Sequence, residues 1–350
     1  MTISTRATTV AVIGAGIAGS ACADGLQRAG CEVTVFDKSR GPGGRMATRH
    51  MRWTDAEGTE QSSDFDHGAQ HFGATTPRFR ALMGRAEAAG VVSRWQPRVH
   101  ARWPAPLVQH SFVATPTMPA LCRHLLKNVS VRVGAAVQRL YRQSDGWHLV
   151  IADGEVRGPF DQVMLAMPPA QAALLLAGHH DEWADALATV PMQPCWTLMA
   201  ITNDVDWPWD AAEPDRGALG WVARNERKPG RSARLGLAHW VAHATPAWTA
   251  AHLEEDPLQV RDALCMALSK LLPQQPIEWH QTAVHRWRYA LPQDAPADQR
   301  ECWWDAGHGL GVCGDFFGAG QVEAAWRSGD ELADTLAASL EESDLALATH

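Results

Sequence analysis

TVAVIGAGIAGSACADGL, residues 9–26, decides the architecture, because its two halves demand different backbones. Thr9 to Ile13 is apolar and β-branched, as in a strand buried on both faces. Ala18 to Ala29 carries helical spacing, and Gly14 to Gly19 turn the strand into the helix. Gly14 permits the tight turn, Gly16 lets a pyrophosphate approach the backbone, and Gly19 lets helix and strand pack closely. Ala18 falls in the first helical turn, whose N-terminus faces the anion. Gly30 ends the helix and Glu32 to Phe36 forms a second strand. Asp37 closes it 18 residues after Gly19, where a carboxylate accepts from both ribose hydroxyls. The first 37 residues are thus a right-handed βαβ unit that binds a dinucleotide. An acid at Asp37 repels a 2′-phosphate, which disfavours NADP and leaves FAD or NAD.

The next stretch, Lys38-Ser39-Arg40-Gly41-Pro42-Gly43-Gly44-Arg45-Met46, reads as a second phosphate-facing loop. Glycines through Gly44 free backbone N–H groups, and Arg45 offers a planar, permanently charged donor fork. Two such loops suit a cofactor lying extended across the domain. Taken alone, the second loop reads equally well as a solvated basic turn.

Farther out, regular structure is expected to be sparse as far as Phe72. Helices are expected at Thr76 to Ala89 and Met118 to Leu126, with a Pro-interrupted hairpin at Arg98 to Phe112. Val129 to Val133, Val137 to Arg142 and Trp147 to Ile151 read as a meander beside the main sheet, which Val163 to Ala166 re-enters. Long strands at Cys195 to Thr202, Gly217 to Arg224, Arg234 to His243 and Glu278 to Trp287 make a second lobe. Gly309 to Cys313 is a further buried strand, and Val322 to Ala338 a closing helix. The expected fold is α/β and two-lobed: a doubly wound, Rossmann-like domain and a substrate lobe on a largely antiparallel sheet. The first takes residues 1–75, 116–178 and 300–340, the second 76–115 and 179–299, and 341–350 form an acidic tail.

Composition narrows the function. The 350 residues exceed what one core organises, and 46% hydrophobic with 20% charged side chains suits a folded chain. Thirty-one basic against 39 acidic residues give a net charge of −8, which disfavours nucleic acid as a partner. The seven cysteines form no C-x-x-C pair, and their odd count argues against a disulfide framework. The N-terminus lacks signal-peptide features, and no apolar run approaches the roughly 18 residues that span a bilayer. A cytoplasmic protein without a membrane partner is expected. The histidines show no H-E-x-x-H spacing, so no metal site is expected, and the absence of G-x-S-x-G argues against a serine hydrolase. Trp, with 16 copies, outnumbers the 8 Phe and 2 Tyr together, so large flat surfaces are available.

GAGIAGSACADGL and VFDKSRGPGGRMATR resemble the FAD-binding signature of the amine oxidase and phytoene desaturase superfamily. Asp66-His67-Gly68-Ala69-Gln70-His71-Phe72 is similar to a segment of renalases, particularly bacterial renalase-like flavoproteins, although His71 stands where an aromatic residue is common. Matches such as Ala166-Met167-Pro168-Pro169, Trp221-Val222-Ala223-Arg224-Asn225, Lys228-Pro229-Gly230-Arg231 and His285-Arg286-Trp287 carry that resemblance along most of the chain. It implies noncovalent FAD, touched by Arg45, by its neighbour Met46 and by Gly68, Ala69, Gln70 and His71 near the isoalloxazine ring. Gly314 and Asp315, with a helix starting at Gln321 and Val322, would direct a positive helix end at the ring's N1 and C2 carbonyl. Asn225, His243 and Trp287 would face the substrate. From the residues alone, Asp315 reads as a helix cap, His243 as a strand-end histidine, Trp287 as a core aromatic and Asn225 as a turn residue.

The activity implied is oxidation of NAD(P)H isomers reduced at ring position 2 or 6, with FAD taking the hydride and O2 leaving as hydrogen peroxide. The substrate partner would be a dihydropyridine dinucleotide. An FAD-dependent amine oxidase or desaturase and a non-catalytic flavin-binding protein stand as alternatives. Cys313, inside an apolar strand, reads as core rather than as a flavin anchor.

Overall fold

The computed structural model describes residues 6–55, 57–101, 111–232, 234–272, 276–293, 300–318 and 320–348. The chain divides into two compact units, Met1–Gly44 with Leu121–Pro191 and Pro292–His350, and Arg45–Ala120 with Met192–Leu291.

The first unit is built on a six-stranded sheet in the order Trp303–Asp305, Leu310–Val312, Gln162–Leu165, Thr9–Ile13, Glu32–Asp37, Ser130–Val133. All neighbours run parallel except the Trp303–Asp305 edge. Both faces are covered, so all five residues of Thr9–Ile13 are buried. Helix Ile17–Arg28 packs against helix Gln321–Ala348 so closely that a Cβ on Gly329 would lie 2.0 Å from the Ala18 carbonyl oxygen. A three-stranded antiparallel sheet, Val137–Gln143, Gly146–Ile151 and Val156–Phe160, adds Leu140, Trp147 and Leu149 to a core shared with Ile13, Phe36 and Leu165. Cys313 is fully buried.

The second unit holds a six-stranded sheet ordered Trp279–Pro292, Met192–Asn203, Leu237–Ala244, Leu219–Arg224, Ala211–Glu213, Val99–Ala101. Alternation along the strands gives it two apolar faces. One carries Trp196, Leu198, Trp240 and Ala242 onto Val260 and Leu264 of helix Pro257–Ser269. The other carries Met199, Ile201 and Val241 onto Met51, Trp53 and Phe65. Thr197 pairs with His243, and His243 with Trp221, so these three form a row across that second face.

Several expectations are corrected. Arg49–Thr54 and Glu60–Phe65 pair as an antiparallel hairpin where sparse structure was expected. Charged and polar neighbours hide its three apolar contacts, Met51, Trp53 and Phe65, in the sequence. Ser130–Val133 joins the parallel sheet as its edge strand instead of a meander. Residues 45–75 and 116–120 cluster with the second unit, and 179–191 and 292–293 with the first. The reason is packing: the hairpin sits on Met199 and Val241, while Ala184 and Leu187 of helix Asp181–Ala188 enter the first unit's core. The closing helix runs through the expected acidic tail to Ala348. Residues 102–110 of the expected hairpin and 294–299 lie outside the described residues.

Candidate functional site

In the first unit, two glycine loops form a cradle. Gly14 has φ 113°, and a Cβ there would sit 2.2 Å from the Ala166 carbonyl oxygen. A Cβ on Gly19 would lie 1.9 Å from the Gly14 oxygen, and one on Gly44 would lie 3.1 Å from the Gly16 Cα. The Gly43 N–H donates to the Ala15 carbonyl at 2.9 Å and pins the second loop on the first. No side chain caps helix Ile17–Arg28 at Gly16, so the amides of its first turn, Ala18 included, remain for an outside acceptor. The Asp37 carboxylate accepts the Ala15 and Ser39 N–H groups, each at 2.7 Å. A carboxylate has about four acceptor positions, so it retains capacity for two ribose hydroxyls. The cradle therefore fits the pyrophosphate and ribose of a dinucleotide. Lys38 reaches instead to Gln171, at 3.1 Å.

Gly314, in the same unit, is required because a Cβ would strike the Phe316 ring at 2.3 Å. Its N–H donates to Ser328 Oγ at 2.9 Å. Asp315 is buried in the short turn Asp315–Phe317, and Gln321 and the buried Val322 open the closing helix.

In the second unit the segment from Asp66 to His71 lies on the row of Trp221, His243 and Thr197. Gly68 crosses Arg45 so tightly that a Cβ would be 1.9 Å from the Arg45 oxygen and 3.4 Å from Trp287 Cζ2. The Ala69 N–H donates to that oxygen at 2.8 Å, and the Arg45 guanidinium donates to the Ala290 carbonyl at 3.0 Å. Met46 is buried behind it. Position 68 must therefore be Gly for the segment to cross the Arg45 backbone at all.

A buried polar network holds this segment. Asp66 accepts from Thr48 Oγ1 at 2.7 Å, Lys228 Nζ at 3.3 Å and Arg231 Nε at 3.1 Å, with the Arg231 Nη2 in ion-pair contact at 2.8 Å. Burial alone would raise its carboxyl, but the two cations and the Thr48 hydroxyl outweigh that and hold it below the usual range. Burial pushes Lys228 down to about 8 despite Asp66. Lys228 also donates to Gln70 Oε1 at 2.9 Å. Asn225 spends its amide on the backbone, donating to the Asp64 carbonyl at 2.9 Å and accepting the Asp66 N–H at 3.3 Å. The structure thus gives Asn225 the task of holding the backbone at Asp64 and Asp66.

His243 Nε2 lies 3.2 Å from Gln70 Nε2 and 3.3 Å from the His67 carbonyl. Trp287 donates to the same carbonyl at 3.0 Å and stacks on the His67 ring with centroids 5.0 Å apart. His71 meets Ser111 Oγ at 3.0 Å and the Trp221 ring at 5.1 Å. Burial pushes His243 and His71 down to about 4 and His67 to about 3, so these imidazoles are neutral at physiological pH. His243, Trp221, Cys195, Gly220 and Ala290 line a cavity of 210 Å³. Of the three substrate-side candidates, the structure brings His243 and Trp287 together on His67.

Sequence reasoning missed Lys228 and Asp66 as partners, 162 residues apart. Lys228-Pro229-Gly230-Arg231 was visible only as a motif. Among the described residues one group, His180, Asp305 and His308, brings three ligating atoms within 4.8 Å. Hydrogen bonding accounts for it: His180 Nδ1 accepts the Trp183 N–H, which leaves its proton on Nε2, 3.3 Å from Asp305.

Residues 107–337 match the family of flavin containing amine oxidoreductases, and residues 12–86 match an NAD(P)-binding Rossmann-like domain. The chain belongs to the flavin-containing amine oxidoreductase family, and FAD is its cofactor. A candidate protoporphyrinogen oxidase from Exiguobacterium shares the fold with a TM-score of 0.72 at 13% identity, over 96% of this chain and 100% of that one. Cyclohexylamine oxidase from Brevibacterium oxydans gives 0.71 at 15% identity, again over 96% and 100%. The tRNA 5-methylaminomethyl-2-thiouridine biosynthesis bifunctional protein MnmC of Magnetococcus marinus is 30% identical over 45% of this chain and 29% of its own length. This chain therefore spans less than a third of that relative. Among the described residues no helix is long and apolar enough to cross a membrane.

Proposed function

We propose that the protein is a renalase-type oxidase that converts NAD(P)H isomers reduced at ring position 2 or 6 to β-NAD(P)+. The observation that carries this reading is the charge state of the second unit's site. Its buried acid, Asp66, is already engaged by Lys228, Arg231 and Thr48, and its imidazoles are neutral. Among the described residues an ammonium group finds no uncommitted carboxylate there, whereas an uncharged planar ring meets the indole and imidazole of Trp221 and His243, which line the cavity. FAD, when bound, would supply the two-electron acceptor, with O2 as the final oxidant and hydrogen peroxide as its product. A dihydropyridine whose nitrogen carries ribose has no N–H to lose, and hydride departure restores its aromaticity. The chain's residues then have to orient the ring and exclude water, without removing a proton.

Anaerobic mixing of the purified holoenzyme with 2- or 6-dihydro-NAD(P) should bleach the flavin, and air should restore its colour with release of hydrogen peroxide. Primary amines should bleach it far more slowly. Rapid bleaching by amines together with inertness to both dihydropyridines would replace this reading with amine oxidation.

A further inference from the structure

Resting on the dihydropyridine reading, we propose that Lys228, acting through Gln70, fixes His243 as its Nδ1–H tautomer, and that this N–H recognises an acceptor atom on the substrate, such as a carboxamide oxygen. The constraints start at a group with no freedom. The Lys228 ammonium is fully buried and can only donate, so the amide end of Gln70 that lies 2.9 Å from it is the oxygen. The other end donates to the Asp66 backbone carbonyl, which can only accept. Two partners at opposite ends therefore dictate the same amide orientation.

The second hydrogen of the Gln70 amide is left for His243 Nε2, 3.2 Å away. A ring nitrogen facing an N–H must accept, so Nε2 carries no proton. The His67 carbonyl, 3.3 Å from the same nitrogen, does not reverse this, because Thr197 Oγ1 at 3.2 Å and Trp287 Nε1 at 3.0 Å already take its two lone pairs. The proton of the neutral ring sits on Nδ1, which has no hydrogen-bond partner among the described residues. The ring itself lines the 210 Å³ cavity beside Trp221, Cys195 and Ala290. A donor that opens onto a largely apolar cavity is matched best by a ligand that brings an acceptor. The same donor repels an ammonium, which has only donors to offer. Lys228 is thus a positioning residue that acts on substrate choice through two side chains.

Selective ¹⁵N-histidine NMR of the oxidised holoenzyme reads the tautomer, with His243 assigned by its loss in His243→Gln. Titration with β-NAD+, followed by flavin absorbance, reads recognition. The wild type should show a bare Nε2 and a protonated Nδ1. Gln70→Glu should draw the proton to Nε2, and Gln70→Met and Lys228→Met should each give a mixture of tautomers. All three should weaken β-NAD+ by about tenfold, and by more than they slow flavin reduction. A wild-type His243 protonated on Nε2, or a tautomer unmoved by these variants, overturns the proposal. So does a moved tautomer with unchanged β-NAD+ affinity. The tautomer is measured without substrate, so failure of dihydropyridines to bleach the flavin would sink the functional reading separately.

Discussion

Asn225 holds the backbone at Asp64 and Asp66 with both ends of one amide, so truncating it strands a buried N–H and a part-buried carbonyl. Asn225→Ala should lower the stability of the holoprotein by about 1–3 kcal/mol, measured by chemical denaturation. An unchanged midpoint would return Asn225 to a role facing the substrate. The contrast with Gly14, Gly16 and Gly19 is instructive. Their task was legible because every constraint on them is local: a turn, a helix start and a strand lie within one short segment. Asn225, Lys228 and Arg231 act on Asp66 from across the chain, and no spacing rule announces that an acid near position 66 needs two cations from beyond position 227.

Between helices Ile17–Arg28 and Gln321–Ala348 the backbones themselves meet. A Cβ added at Gly329 would fall 2.0 Å from the Ala18 oxygen, in the turn that frames the pyrophosphate cradle. Gly329→Ala should therefore cost about 1–3 kcal/mol of stability and also weaken FAD retention, read by melting and by flavin released on gel filtration. Gly84, in helix Pro77–Ala88, has nothing within 4 Å of an added Cβ, and Gly84→Ala should stabilise by about 0.5–1 kcal/mol. The long strands and most helices were legible because each shows a sustained apolar period. Arg49–Thr54 was not, since its period rests on Met51 and Trp53 alone amid exposed charge.

Across the whole molecule, acid stability follows from histidines buried in neutral form. His67, His71, His239 and His243 are pushed down by burial to about 3, 4, 4 and 4, from an ordinary value of 6.5. Between those values and 6.5 the unfolded chain binds protons that the folded chain refuses, so stability rises with pH up to about 6.5 and is lost on acidification. Each histidine contributes a slope of up to about 1.4 kcal/mol per pH unit. Melting temperature should fall steeply from about pH 6.5 towards 4, and His239→Leu, which removes two unpartnered buried nitrogens, should flatten that fall. The interleaving of two lobes was legible at this scale, while their seams were not, because the seams depend on which sheet each connecting segment packs against. On the proposed reading the site orients an uncharged ring and takes no proton from it. The most direct measurement is the limiting rate of anaerobic flavin reduction by 6-dihydro-NAD, by stopped flow, between about pH 6 and 9. The rate should be constant across that range: the histidines stay neutral, and Lys228, which titrates near 8, still donates to Gln70 as a free amine. A limiting rate that climbs about tenfold per pH unit over part of the range would mean that a base removes a proton in the reaction, and would contradict the account.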